Sequence, residues 1–282
     1  MTKIECKIVD LKRMAEFVGC KGKGEKGVDM YLTKDFLIDA KGNSVEIQAT
    51  DTINQALLVK LKYNDIKVIN EGQIPIGSVE QLVKILNRYN PNDKVTVEYL
   101  RDETSSKMWI KRGFPKMSTM IPVPSPDNID SVKGIKVLEG IKYDDKKDVY
   151  YTSRVELSSK IVLEASHLKS ILPDADALPI DLRDVKYPIE LKGGKLLTQV
   201  GNENDGIIER EIPTKEVKGE GKSLYKFGFD AIFTTVDGDI SIYFANEGPM
   251  VVVKTDDKFE LMYFIAPTSG WLVCPKLKIR EK

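Results

Sequence analysis

The sequence predicts an α+β protein of two similar β-rich domains, each with two helices packed on antiparallel sheets. Three observations predict it. One order of strands and helices occurs twice, a proline-dense linker separates the two copies, and the chain closes on an apolar hairpin. A chain of 282 residues is long enough for two domains of ordinary size. The boundaries read as 1–123 for the first domain, 124–154 for a connector, 155–272 for the second domain and 273–282 for a basic tail.

In the first half, Lys3 to Asp10 is a strand candidate with Ile4, Cys6 and Ile8 on one face. Asp10 is the expected N-cap of a helix in which Leu11, Met14, Ala15 and Val18 recur at helical spacing, and Gly19 stops it. Its opposite face carries Lys12 and Arg13, and Lys21, Lys23 and Lys26 follow in a Gly-rich tail. Strands are expected over 35–40, 45–50, 56–63 and 66–69, set apart by short polar turns. Ser78 then opens a second helix, with Gln81 completing a capping box. Val79, Leu82, Val83 and Leu86 form its buried face, while Glu80, Lys84, Asn87 and Arg88 look outward. Three more strands, 94–100, 107–111 and 117–123, finish the domain.

The run Ile121-Pro122-Val123-Pro124-Ser125-Pro126-Asp127 marks the boundary, because proline at this density removes ladder donors and stiffens the chain. Beyond it, 132–138 reads as an edge-strand candidate and Asp144 to Asp148 as a solvated charge run. The pattern then repeats. A strand at 160–164 leads into a helix opened by Ser166, burying Leu168, Ile171, Leu172 and Ala175 and shortened by Pro173. Strands follow at 180–185, 189–191, 196–200, 207–212 and 224–227. A short helix over 229–236 buries Phe229, Ile232, Phe233 and Val236, and a strand at 239–244 precedes the last hairpin. That hairpin is two β-branched and aromatic runs split by Asp256-Asp257-Lys258, and Pro267 ends its second strand.

Composition excludes several classes. Lys plus Arg and Asp plus Glu number 43 each, so the chain is not a simple net-basic nucleic-acid binder, although charge of both signs can be segregated by location. Cys6, Cys20 and Cys274 are too few and too scattered for a disulfide framework or a zinc site, so no metal or other cofactor is expected. The N-terminus lacks a signal-peptide core and no run reaches membrane-spanning length, so the expectation is a soluble cytoplasmic protein, nuclear if the source is eukaryotic, with no membrane partner. The single histidine, His167, stands beside no Ser or Cys motif, and the glycines at 19–24 lack P-loop spacing. No catalytic residue and no enzyme activity is expected.

The closing pattern PMVVVK…FELMYFIAP resembles the last hairpin of the sliding clamps of the proliferating-cell-nuclear-antigen family. VEQLVKILNRYNPNDKVTVEYL and QATDTINQALLVKLKY resemble the first domain of the same family. The resemblance runs over nearly the whole chain and is weakest from Pro124 to Arg154. It implies a ring of clamp domains around duplex DNA and assigns candidate residues by position. Lys12, Arg13, Lys21, Lys23, Lys84, Arg88 and Lys169 would touch phosphates without reading sequence. A solvated helix face is the plainer account of the same charges. Pro249, Phe264, Ala266 and Pro267 would floor a pocket for partner peptides, with Asn54 and Gln55 at its rim. The connector would supply the lid, from Ile129, Val132, Ile135 or Leu138. Met117, Met120 and Ile121 of one subunit would meet Ile207, Ile208 and Ile212 of the next in a homotrimer. One departure stands out: Asp230, Thr234 and Thr235 face outward on the fourth helix, where relatives often carry a base.

The function implied is that of a processivity factor for replication and repair. A closed ring would tether DNA polymerase, a clamp loader and other proteins with short hydrophobic-aromatic peptides. Alternatives of other kinds stay open: a checkpoint-type or heteromeric clamp subunit, or a β-rich interaction protein without DNA binding.

Overall fold

The structure, a computed structural model, describes residues 1–23, 29–51, 57–102, 105–132, 139–179, 185–204, 206–226 and 228–268. The chain divides into two compact units. The first holds Met1–Cys20, Tyr31–Lys136 and Thr255–Met262, and the second holds Lys21–Met30, Val137–Lys254 and the chain from Tyr263 onward.

In the first half, β1 (Thr2–Lys7) alternates buried and open residues as the sequence suggests. Helix α1 (Ile8–Gly19) starts earlier than expected. Lys7 is its N-cap and Asp10 lies buried within the first turn, so Asp10 is not the cap. A buried carboxylate needs partners. Asp10 accepts from the Tyr63 hydroxyl at 2.7 Å and has Lys258 Nζ at 3.4 Å. Two short strands the sequence did not suggest follow, β2 (Lys21–Lys23) and β3 (Asp29–Tyr31), paired as a ribbon. Then come β4 (Phe36–Lys41), β5 (Ser44–Thr50), β6 (Leu57–Tyr63), β7 (Lys67–Asn70) and β8 (Gly72–Ile76). Pro75 hid β8 from the sequence reading; it is tolerated because β8 is an edge strand with β4 as its one neighbour.

Helix α2 (Val79–Leu86) begins where Ser78 predicts, with the Ser78 hydroxyl accepting the Gln81 amide at 3.2 Å. Strands β9 (Lys94–Arg101), β10 (Ser106–Arg112) and β11 (Met117–Pro122) complete a five-stranded sheet in the order β11-β10-β9-β1-β7, while β6-β5-β4-β8 run side by side in another. The core holds Ile4, Met14, Ile47, Val97 and Leu82, and α1 packs on α2.

In the second half, β12 (Lys142–Asp144), β13 (Val149–Tyr151) and β14 (Glu156–Leu157) form a small antiparallel sheet of their own. The expected solvated charge run is therefore a hairpin turn. β15 (Ser159–Glu164) leads into two five-residue helices, α3 (Ala165–Lys169) and α4 (Leu172–Asp176), in place of one, because Pro173 is accommodated at the start of a new helix. Next come β16 (Tyr187–Lys192), β17 (Lys195–Asn202), β18 (Gly206–Ile212), β19 (Glu216–Lys218) and β20 (Gly221–Tyr225). Helix α5 (Phe229–Thr235), β21 (Asp239–Phe244), β22 (Met250–Thr255) and β23 (Phe259–Ile265) close the chain. One sheet runs β18-β17-β16-β20, and β19-β15-β21-β22 are neighbours in another. Most of the strand expected at 180–185 and the expected tail at 273–282 lie outside the described residues, as do Ile135 and Leu138. Among the other lid candidates, Ile129 is buried core and Val132 sits half-buried in a 3-10 turn at Asp130–Val132.

Candidate functional site

Three groups of residues carry the functional expectations. The basic group begins on α1 and α2. Lys12 is partly exposed and 3.8 Å from Glu16, one turn on. Lys84 reaches Glu80 at 2.6 Å, and that hydrogen bond holds the Glu80 carboxyl below its usual range. Pairs this open contribute little to stability, so their lysines can exchange partners for a phosphate at small cost. Arg88 is exposed, with no ion pair among the described residues. Arg13 is half-buried and bears on the Tyr63 hydroxyl. Burial and Asp10 push that phenol well above its usual range, while Arg13 pulls the other way. Lys169 is exposed at the end of α3.

Lys21 is exposed on β2, and Lys23 ends that strand. The sequence reading placed both in a tail after α1; the structure lays β2 against α5 in the second unit. Gly22 permits the approach, since a Cβ there would stand 2.9 Å from the Ala231 Cβ. Lys21 thus comes to a helix whose sequence, FDAIFTT, has no Lys or Arg. The alternation of lysine and glycine at 21–24 was the only signal for this, and it does not say where the strand lands.

The second group is the end of the closing hairpin. Pro249 enters β22, and Ala266 and Pro267 leave β23, so all three lie at one end of it. Pro249, Ala266 and Pro267 are half-buried, and Phe264 is 9% exposed. The preceding turn is fixed: the Gly248 carbonyl accepts from Ser223 at 2.7 Å and from Tyr225 at 3.0 Å. After β23, the Thr268 amide donates to the Leu224 carbonyl at 2.9 Å. The result is a rigid apolar patch with partial access. Asn54 and Gln55 lie outside the described residues.

The third group lies on two strands, β11 and β18, each at the edge of its sheet. Met120 is 44% exposed and Ile207 41%, and Met117 and Ile208 are half-buried. Ile121 and Ile212 point into their own subunit and are buried. Arg210 stays with its own unit, gripping the buried Asp174 through two contacts of 2.5 Å.

The His167 ring lies 3.1 Å from the Pro213 carbonyl. Burial, with Asp10 and Glu5 nearby, pushes the Cys6 thiol up to about 12, so it stays protonated and unreactive. Among the described residues no three His, Cys, Asp or Glu side chains gather as a metal site, and no helix is long and apolar enough to cross a membrane.

One further cluster escaped the sequence reading. The Asp148 carboxylate accepts from Tyr143 at 2.7 Å, Tyr243 at 2.9 Å and Lys160 at 2.6 Å, pinning the β12–β13 hairpin to β15 and β21. Burial works to raise this carboxyl, but the three bonds outweigh it and hold its pKa at about 2. Tyr143, Tyr150 and Tyr243 pack with ring centroids 4.8–6.2 Å apart.

No family model matches the sequence, and the search of curated proteins returned no match. The fold does match. The structure of A. fulgidus PCNA with the C-terminal region of FEN-1 bound aligns at a TM-score of 0.69 and 14% identity, over 96% of this chain and 99% of that one. Proliferating cellular nuclear antigen from Entamoeba histolytica aligns at 0.68 and 12%, over 95% and 98%. A PCNA2–PCNA3 complex from Sulfolobus tokodaii aligns at 0.65 and 13%, over 95% and 100%. Identities this low speak for fold alone, and over 95–96% of its length the fold of this chain is that of the PCNA sliding clamps.

Proposed function

We propose that the protein is a DNA sliding clamp, a non-enzymatic ring of identical subunits that encircles duplex DNA and tethers replication and repair proteins. The observation that carries this reading is the match over nearly the full length of both chains to clamps, one of them solved with a bound partner segment. Likeness confined to one domain would not carry it. Four further features support it. Two edge strands with exposed apolar side chains offer a seam. Lys12, Lys84, Arg88 and Lys169 stand at the surface, where phosphates can reach them. The patch at Pro249, Phe264, Ala266 and Pro267 suits a short helical turn with apolar anchors. Two domains, 1–123 and 155–272, joined by a connector provide the six domains of a three-subunit ring.

The mechanism is topological. Closure prevents dissociation, phosphate contacts without base readout permit sliding, and the patch raises the local concentration of a polymerase. The test is retention on nicked circular duplex in a high-salt sizing column. Protein that stays with circular DNA and is released when the circle is cut supports a ring; equal behaviour on circular and linear DNA overturns it. A heteromeric ring is a second reading, favoured by the likeness to a complex of two different clamp subunits. Mixed assembly with a second chain, and none alone, is its signature.

A further inference from the structure

The five-stranded sheet of the first unit has an outer face that none of the three groups above uses. On β10, Met108 and Ile110 point into the core, so Lys107, Trp109 and Lys111 stand on the opposite face. The registers set Trp109 between Met120 of β11 and Glu98 of β9, and Lys107 between Pro122 and Leu100.

Two properties set this face apart, and the first is charge. It carries Lys3, Lys7, Lys67, Lys94, Lys107 and Lys111 against Glu5 and Glu98, in a chain whose charges balance. Both glutamates are already held, Glu5 by Lys67 at 3.1 Å and Glu98 by Lys3 at 2.8 Å and by Lys111. Lys7, Lys94 and Lys107 have no ion pair among the described residues, and Lys7 lies directly opposite Lys94. Like charges so placed destabilise a sheet, and an anion between them relieves the repulsion.

The second property is apolar. Trp109 is half-buried, with Met120, 44% exposed, opposite it and Leu100, 38% exposed, on the diagonal. Large apolar side chains gathered in the open and rimmed by charge mark a surface that a partner covers. Anionic partners are of two kinds, and the neighbours of Trp109 choose between them. Single-stranded nucleic acid stacks its bases on successive aromatic rings. This face offers one ring among the described residues, and Lys111 Nζ already lies 5.5 Å from its centroid. Leu100 and Met120 suit the apolar side chains of a peptide.

We propose that this face docks an acidic protein segment, its carboxylates against Lys7, Lys94 and Lys107 and an apolar side chain seated on Trp109 and Leu100. Docking uses the face of the sheet and not its β11 edge, so it is independent of how copies of the chain assemble.

Trp109 is its own reporter once Trp271, the other tryptophan, is changed to Phe. Full-length Trp271→Phe protein is titrated with a synthetic peptide of glutamates around one phenylalanine and one leucine, and indole emission is followed. A saturable change is expected. Lys94→Glu with Lys107→Glu should weaken binding roughly ten-fold while circular dichroism stays unchanged, since neither lysine leaves an ion-pair partner behind. If that variant does not fold, Lys94→Gln with Lys107→Gln is expected to weaken binding several-fold. Serine in place of the peptide's phenylalanine and leucine should also weaken it several-fold. A flat titration overturns the proposal, as does equal affinity in the folded lysine variant or for the serine peptide. An oligo-dT that binds at Trp109 more tightly than the peptide makes the face a nucleic-acid platform and overturns it as well.

Discussion

The helices of the two units contrast sharply. In the first unit α1 has 12 residues and α2 eight, and α2 carries its own start signal and an internal Glu80–Lys84 pair. In the second unit α3 and α4 have five residues each and α5 seven. Helices this short do not repay the cost of nucleation alone. They persist through burial: Phe229, Ile232 and Phe233 are fully enclosed, and Phe229 stacks on Tyr187 at 4.6 Å. A helix with local signals can devote its outer face to charge, as α2 does with Glu80 and Lys84, and the exposed Arg88 follows just past its end. A helix held by its core residues has little outer face left for it, and beside α5 the base comes from Lys21 on a different segment.

That contrast can be broken in several ways. The largest effect is expected at α5, where Phe229→Ala should cost about 3–5 kcal/mol in urea unfolding, the usual range for an aromatic removed from a packed core. A cost below about 1 kcal/mol would show that packing does not hold this helix. Next is the charge of the first unit. Lys84→Glu with Arg88→Glu should lower duplex affinity by roughly 10- to 100-fold at low salt and reduce the log–log salt slope by about 0.9 for each phosphate no longer neutralised. Thr234→Glu on α5 should change it less. If the two act alike, the asymmetry between the units has no bearing on DNA.

The Asp148 pin should give an intermediate effect on stability. Asp148→Ala takes the shared acceptor from the Tyr143 and Tyr243 hydroxyls and leaves Lys160 with Glu216 at 3.4 Å, and should cost about 1–3 kcal/mol, with faster amide exchange across Lys142–Asp144 and Val149–Tyr151. Its pH dependence has a definite sign. A carboxyl lowered from 3.8 to about 2 adds stability that is complete above pH 4 and disappears as pH falls toward 2, a decline Asp148→Asn should no longer show. The smallest effect is local. Ser78→Ala should cost about 1 kcal/mol by removing a cap, whereas Ser166→Ala should cost little, because the N-cap of α3 is Glu164 and no side chain caps it.

Legibility in the sequence followed the same divide. The start and buried face of α2 were readable because its cap and apolar stripe agree, although the helix ends at Leu86, short of the Asn90-Pro91-Asn92 stop the sequence offers. The closing hairpin was readable because its turn residues and β-branched runs agree, and it carried the resemblance to clamps. Asp10 was misread since an acidic residue before an apolar stripe looks like a cap, and only the distant Tyr63 and Lys258 explain its burial. The hairpin at Lys142–Tyr151 was missed because its strands are three residues long and its Asp-rich turn looks solvated, although Asp148 is bonded to residues 5, 12 and 95 positions away. The meeting of β2 with α5 was invisible for the same reason: nothing local encodes a meeting of segments some two hundred residues apart. Of the site, the basic and apolar residue types and the lack of a base on α5 were legible, and the placing of Lys21 and Lys23 in the second unit was not.

The most direct test of the ring is the native mass in solution, by light scattering on a sizing column at moderate salt and over a range of concentrations. The account expects about 95 kDa, three times the 31.7 kDa chain. A mass of one chain at every concentration would contradict it.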